Sequence, residues 1–202
     1  MTCISVVIAG FRSRMRIRPA VRRTMVLLSM MMLPVISTVA YSANDQPARY
    51  EIGVAYERAI EHFPGWSREQ VIARFPLSWN YDISQTYTLR SYLESSIGYI
   101  YGDGEDHTSI SMGVSLRLDP NSSARRIYLL LGFSPTLLSD VDFGNKEIGT
   151  QLEFSTQLAL GIYLDSVRTL AVEFSLRHTS NGGLSQTNPG VNSMGLTLLY
   201  RF

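Results

Sequence analysis

Apolar and polar residues alternate one by one over long stretches of the chain after Asn44. In residues 148–162 the even positions, from Ile148 to Ile162, are mostly apolar, and the odd positions are small or polar. Successive side chains of a β-strand point to opposite faces, so this period of two predicts a strand with one apolar face. Strand patterning recurs in further segments, namely residues 50–58, 71–81, 89–101, 110–118, 125–135, 169–178 and 191–202.

These segments predict about eight strands, the smallest usual number for an outer-membrane barrel. Several of them run longer than the roughly 5 to 6 residues usual in soluble sandwiches, as a tilted membrane crossing requires. Residues 127–133 are apolar on both faces, which leaves that strand ambiguous. We therefore predict an all-β fold, an eight-stranded antiparallel transmembrane β-barrel over residues 44–202. A soluble β-sandwich or a lipocalin-like barrel is the alternative.

The predicted connections differ in length between the two ends of this barrel. The inner turns are short, at residues 83–86, 119–124 and 163–167, and the outer connections are mostly longer, at residues 59–69, 102–106, 136–146 and 179–190. Long extracellular loops and short periplasmic turns are typical of outer-membrane barrels. With both termini in the periplasm, the connection at 179–190 lies at the extracellular rim.

The first part of the chain has the pattern of an export signal. A run of arginines between Arg12 and Arg23 precedes the uncharged, mostly apolar residues 25–40, and small residues follow. This order predicts a signal peptide over residues 1–43, cleaved near residues 40–43, with Met15 or Met25 as alternative starts. The apolar stretch is shorter than the ~20 residues of a membrane-spanning helix, so a membrane anchor is the weaker alternative. We predict a bacterial outer-membrane protein.

Composition and histidine positions exclude some classes of partner. The 18 Lys and Arg residues balance 17 Asp and Glu, so the excess positive charge that binds nucleic-acid phosphates is missing. His62 and His107 fall in predicted loops without the spaced His, Cys or carboxylate partners of a transition-metal site, and residues 102–107 lack calcium-loop spacing. We predict no nucleic-acid partner, no metal and no organic cofactor.

His178 and Ser180 share the parity of the apolar residues in segment 169–178, which places both on the outer wall if the strand continues. An ionisable residue that faces lipid points to function, although an interface histidine held by loop hydrogen bonds is the structural alternative. The two Cα atoms would lie ~7 Å apart, from which a hydroxyl can approach an imidazole base. Asn181, Gly182 and Gly183 follow, and their amides could receive a developing oxyanion.

The sequence Phe-Ser-Leu-Arg-His-Thr-Ser-Asn-Gly-Gly-Leu at residues 174–184, followed by Asn-Pro-Gly at 188–190, resembles the closing motif of the outer-membrane lipid A 3-O-deacylase (PagL) family. Residues 149–154 look similar too, and the resemblance covers roughly the last sixty residues. It implies a serine carboxylic ester hydrolase that removes the 3-O acyl chain of lipid A from lipopolysaccharide in the outer leaflet, near the extracellular rim.

The resemblance also implies roles for individual residues. Ser180 is the expected nucleophile and His178 the expected base. Asn181 and the amide of Gly183 are the expected oxyanion donors, and Asn188 is a further expected substrate-binding residue.

The chain departs from the family at Asn192. In the family, an acid at the start of the last strand orients the histidine, and Asn192 occupies the matching position. An amide oxygen can still accept the imidazole N–H, as in Cys-His-Asn proteases. We therefore expect Asn192 to be the third member of the catalytic group.

Two rival functions stay open at this point. One is a non-enzymatic small outer-membrane barrel with a degenerate site, and the other is a phospholipase or acyltransferase that uses the same serine. The expected partners are lipid A or lipopolysaccharide and outer-membrane lipid, and a homodimer is compatible with the sequence.

Overall fold

The computed structural model describes residues 49–60, 63, 65–102, 105–143 and 146–202. Its strands are β1 (Glu51–Ala59), β2 (Ser67–Asp82), β3 (Tyr87–Gly102), β4 (Glu105–Pro120), β5 (Ile127–Leu138), β6 (Asp142–Phe143), β7 (Lys146–Glu147), β8 (Leu152–Tyr163), β9 (Leu170–Ser180) and β10 (Val191–Arg201). Eight of them close into an antiparallel barrel in the order β1-β10-β9-β8-β5-β4-β3-β2, and β6 pairs only with β7. The predicted fold class is confirmed.

The eighth strand begins later than the alternation predicts. It starts at Leu152 rather than Ile148, because Gly149 has a φ of 90°, which departs from strand geometry. Ile148 is only 5% exposed and packs inside the mouth of the barrel rather than on its outer wall. The alternation therefore predicted the face correctly from Leu152 onward but not before it.

The connection predicted at residues 102–106 is shorter in the structure. β3 continues to Gly102 and β4 begins at Glu105, so the two strands extend almost to one another. His107, predicted to lie in a loop, is therefore a strand residue with a buried side chain. Its ring centroid lies 4.3 Å from that of Phe143, in the small β6-β7 hairpin.

The alternate apolar side chains of each strand face outward. In β9, Phe174 and Leu176 are 46% and 47% exposed, whereas Glu173 and Arg177 are buried. The same division holds in β8 and β10, so the outer wall carries a belt of exposed apolar side chains. An apolar belt of this extent is typical of a wall that contacts lipid.

Paired charges occupy the lumen. The guanidinium of Arg74 donates two hydrogen bonds to Glu173, at 2.6 and 2.8 Å, and one to Glu94 at 2.6 Å. Arg117 donates to Glu51 at 2.6 Å. A buried charge without a partner is costly, so these pairs allow the polar side chains of each strand to face inward while the apolar ones face outward.

Apolar side chains close both ends of the lumen. Residues 127–133 are apolar on both faces because Tyr128 and Leu130 point inward and their neighbours point outward. The cluster at one end consists of Tyr128, Tyr163, Ala171 and Leu199. The cluster at the other end consists of Phe63, Trp66, Ile100, Leu138, Phe143, Ile148 and Val191.

The two ends of the barrel carry different connections. One end has the turns at 83–86, 121–126 and 164–169, and the other has the connections at 60–66, 103–104, 139–151 and 181–190. In the described part of the chain, no helix has the length and apolar character needed to cross a membrane. The predicted leader, residues 1–43, and His62 lie outside the described residues.

Candidate active site

His178 and Ser180 lie at the end of β9 where the long connections meet. His178 is exposed, and its side chain shares the outward face with Phe174 and Leu176. Ser180, the last residue of the strand, is half-buried and is paired in register with Phe154 of β8. The strand therefore continues through both residues, and its alternation brings imidazole and hydroxyl to one side of the wall.

Asn192 is the register partner of His178 on the neighbouring strand. The pairing of β10 with β9 sets the two residues directly opposite one another, and His178 Nδ1 lies 2.8 Å from Asn192 Oδ1. An amide oxygen only accepts hydrogen bonds, so Nδ1 of the ring carries the proton in this contact. In the neutral ring with this tautomer, Nε2 carries the lone pair that a general base requires.

Gly190 keeps the space beside this ring open. A Cβ atom added to Gly190 would lie 3.0 Å from His178 Cε1 and 3.7 Å from Nε2. Gly190 also has a φ of 63°, which L side chains rarely adopt. The sequence motif includes this glycine, but only the structure shows that it leaves room for the base.

The loop 181–190 is held together by asparagine side chains. Asn181 is 0% exposed, and its Nδ2 donates to Thr187 O at 2.8 Å and to Ile148 O at 3.1 Å. Asn181 Oδ1 accepts a hydrogen bond from Gly183 N at 2.9 Å. Asn188 Oδ1 accepts one from Asn181 N at 3.1 Å.

The structure brings the predicted site residues together in two groups, one on the strands and one in the loop 181–190. His178 and Asn192 form the predicted orienting contact, with Ser180 on the same face. Asn181, Gly183 and Asn188 bind one another within the loop. Ile148 also belongs to this network, because its backbone carbonyl oxygen accepts a hydrogen bond from Asn181. Every residue has a backbone carbonyl, so the sequence could not identify Ile148 as a functional residue.

A family model for lipid A 3-O-deacylases (PagL) matches residues 70–201, which include all of these side chains. The chain belongs to the PagL family. A lipid A deacylase PagL of Bordetella bronchiseptica (strain RB50) is 31% identical over 80 residues, which are 40% of this chain and 44% of that protein. A lipid A deacylase PagL of Pseudomonas aeruginosa (strain PAO1) is 27% identical over 129 residues, which are 61% and 73% of the two chains.

The fold also agrees with a solved member of the PagL family. The crystal structure of the outer membrane enzyme PagL superposes with a TM-score of 0.63 at 18% identity, covering 74% of this chain and 98% of that one. At this identity the likeness establishes the fold alone. The family resemblance predicted from the last sixty residues is confirmed, and the match extends back into β2.

The histidines of this PagL-family chain have different surroundings. His107 faces the lumen beside Phe143, whereas His178 faces outward beside Asn192. Within the described ranges, no three His, Cys, Asp or Glu side chains come together as a metal site.

Proposed function

We propose that the protein is a lipid A 3-O-deacylase of the bacterial outer membrane that works as a serine esterase. The observation that carries this proposal is the 2.8 Å contact between His178 Nδ1 and Asn192 Oδ1, on the outward face that also carries Ser180. Family membership supports lipid A as the substrate. The roles of the individual residues follow from their positions.

In the proposed reaction, Ser180 Oγ attacks the ester carbonyl carbon while His178 Nε2 takes the hydroxyl proton. The resulting tetrahedral intermediate collapses, the sugar 3-oxygen leaves, and the imidazolium returns the proton to it. Water then attacks the acyl-Ser180 ester while His178 Nε2 takes a proton from it, the bond to Ser180 Oγ breaks as the imidazolium returns that proton to Oγ, and the fatty acid is released. These steps use only groups of the protein and water, and none requires a second copy of the chain.

The outward face explains how such a site would meet its substrate. Phe174 and Leu176 continue the face of His178 toward the middle of the wall, so a lipid beside the barrel would have its acyl chains along them and its ester near Ser180. Outer-membrane barrels carry their long loops on the extracellular side. The long connections around the site therefore support a position near the extracellular rim, at the leaflet that holds lipopolysaccharide.

Asn192 is expected to orient His178 but not to neutralise the imidazolium. Its Oδ1 selects the tautomer with the proton on Nδ1, which leaves Nε2 for Ser180. In a serine protease, exchange of the orienting acid for its amide lowers kcat by about 10⁴, in part because the wrong tautomer is presented. The contact between Nδ1 and Oδ1 supports the tautomer that leaves Nε2 for Ser180, so we expect a slower enzyme rather than an inactive one.

The experiment is mass spectrometry of lipid A from a bacterium with intact lipid A, with and without expression of the protein. We expect loss of one 3-O-linked acyl chain, and no loss with Ser180→Ala or His178→Ala. Both losses should exceed about 10³-fold in kcat with purified protein and should not add, because nucleophile and base act as a unit.

Ser175→Ala is the matched control, since Ser175 lies on the same strand but faces the lumen. Its rate should stay near that of the wild type. Unchanged lipid A with a folded wild-type barrel would favour a non-enzymatic protein. Deacylated phospholipid, or an acyl chain moved to another acceptor, would favour the phospholipase or acyltransferase.

A further inference from the structure

Arginine side chains bind the turn 164–169, between β8 and β9, from both sides. Arg126 Nη1, from the neighbouring turn, donates to Leu164 O at 3.2 Å. Arg49 Nη1, from the segment before β1, donates to Val167 O at 2.8 Å. A guanidinium has five N–H donors, so each of these two arginines keeps donors beyond the one that it gives to the turn.

A further arginine joins this turn to the turn 121–126. Arg168 has a φ of 59°, which is uncommon for a residue with a side chain. Its Nη2 donates to Ser122 O at 2.5 Å and to Arg125 O at 3.3 Å. The guanidinium of Arg125 lies 5.8 Å from the centroid of the Tyr87 ring. The two turns and the segment before β1 therefore form one connected surface at this end of the barrel.

Arg49, Arg125 and Arg126 make this surface positively charged, and together they are called the basic rim. Arg125 and Arg126 are exposed and Arg49 is half-buried. Among the described residues, none of the three has a carboxylate partner. The carboxylate within the turn, that of Asp165, accepts hydrogen bonds from backbone N–H groups at and just before the start of β9. The charge of the basic rim is therefore available to an anion outside the protein.

Exposed apolar side chains accompany the basic rim. Leu164 and Val167, whose carbonyl groups accept the arginine hydrogen bonds, are 48% and 65% exposed. A soluble anion would leave both side chains in water. At a bilayer surface, in contrast, apolar side chains enter the lipid while guanidinium groups stay at the level of the phosphates. The combination favours a lipid surface as the partner.

The position of the basic rim along the barrel agrees with a headgroup layer. Arg49 directly precedes Tyr50, whose ring stacks on that of Phe202 with 6.1 Å between centroids, and exposed aromatic rings are typical of membrane interfaces. β9 has 11 residues between the turn 164–169 and its end at Ser180. A tilted strand of about 9–11 residues crosses a bilayer, so the basic rim and Ser180 lie one crossing apart.

We propose that the basic rim binds the phosphate groups of anionic phospholipids, in the leaflet opposite to the one that Ser180 faces. Arginine can bind two phosphate oxygens at once, and the unused donors of Arg49, Arg125 and Arg126 are available for this. Phosphatidylglycerol carries a net negative charge and phosphatidylcholine does not, so the rim should prefer the former. The proposal goes beyond deacylation and does not depend on it.

The test measures which lipid lies beside the turn 164–169. Val167→Trp, combined with Trp79→Phe, places a fluorescent reporter at the basic rim, while Trp66 stays buried in the mouth of the barrel. The protein is refolded into phosphatidylcholine vesicles with a minor fraction of brominated phosphatidylglycerol or, separately, of brominated phosphatidylcholine, because bromine quenches nearby tryptophan. Quenching should show at least about fivefold local enrichment of phosphatidylglycerol, the effect of one arginine near a lipid surface.

The unchanged chain supplies a matched reporter, because Trp79 is exposed on β2 away from the turn 164–169. The two brominated lipids should quench it alike, within about twofold. At the rim reporter, Arg125→Gln with Arg126→Gln should bring the enrichment to within about twofold of none, whereas Arg125→Lys should retain it. Ser123→Ala, an exposed and uncharged change in the turn 121–126, should also retain it.

Enrichment below about twofold at the rim reporter, or enrichment that survives the double replacement, would overturn the proposal. Barrel formation is followed by heat-modifiable migration, because Arg126→Gln also removes the hydrogen bond to Leu164 O. Arg125→Gln alone removes no side-chain hydrogen bond among the described residues, and it should still lower the enrichment at least about twofold.

Two further measurements separate this surface from other partners and from the proposed function. Binding to isolated cell-wall sacculi that the double replacement abolishes, without enrichment of phosphatidylglycerol, would assign the basic rim to the wall polymer and overturn the proposal. Ser180→Ala should keep the full enrichment at the rim reporter. A barrel that leaves lipid A intact but enriches phosphatidylglycerol would therefore refute the proposed function and support this surface.

Discussion

Replacement of Asn192 by aspartate is expected to raise the rate of deacylation. Aspartate has the shape of asparagine, so its carboxylate can take the place of Oδ1 at 2.8 Å from His178 Nδ1. The change adds a negative charge beside the ring without moving the strand. Asn192→Glu should act in the same direction with a side chain longer by one methylene.

The size of the gain follows from the charge that develops on His178. When Ser180 loses its proton, the ring becomes an imidazolium whose charge centre lies about 4 Å from a carboxylate at position 192. That attraction is worth about 1 kcal/mol in bulk water and about 4 kcal/mol near a protein surface. Since about 1.4 kcal/mol is tenfold in rate, kcat should rise between about 5-fold and 10³-fold.

The assay is the release of fatty acid from lipopolysaccharide by purified protein in detergent. Asn192→Ala should lower kcat about fivefold, because it removes one hydrogen bond worth about 1 kcal/mol. Met194→Leu, a volume-conserving change on the same outward face, should leave kcat unchanged. If Asn192→Asp and Asn192→Ala both stay within about twofold of the wild type, Asn192 does not orient His178 and the reasoning is refuted.

Further predictions concern the ring pocket and the barrel. Gly190→Ala should lower kcat about tenfold by crowding His178, whereas Gly132→Ala, whose Cβ would meet no atom nearer than 3.6 Å, should not. Arg74→Met should reduce the free energy of unfolding in urea by about 3–5 kcal/mol, because it leaves Glu173 buried without its positively charged partner. Unboiled protein should migrate differently from boiled protein, and equal mobility would contradict a closed barrel.

Much of the wall could be predicted because each strand carries its own pattern. The alternation of Phe174 and Leu176 with Glu173 and Arg177 is local, and it predicts which side chains face outward whatever the rest of the chain does. His178 falls at the same alternate positions as Phe174 and Leu176, so the pattern also predicted that it lies on the outer wall. The prediction for β8 failed before Leu152 because a single glycine conformation, at Gly149, ended an alternation that continued in the sequence.

The sequence by itself therefore determined the barrel, the outward parity of His178 and Ser180, and the family, since all three depend on residue types at short spacings. Only the tertiary structure decided which partners meet. Arg74 donates a hydrogen bond to Glu173, which is 99 positions away in the sequence, and Asn181 donates one to the carbonyl of Ile148, which is 33 positions away. Such contacts depend on strand register and on the path of the connections, which bring together groups that no local pattern relates. For the same reason, the sequence could suggest that amides follow Ser180, but only the folded loop showed which of them are already bound.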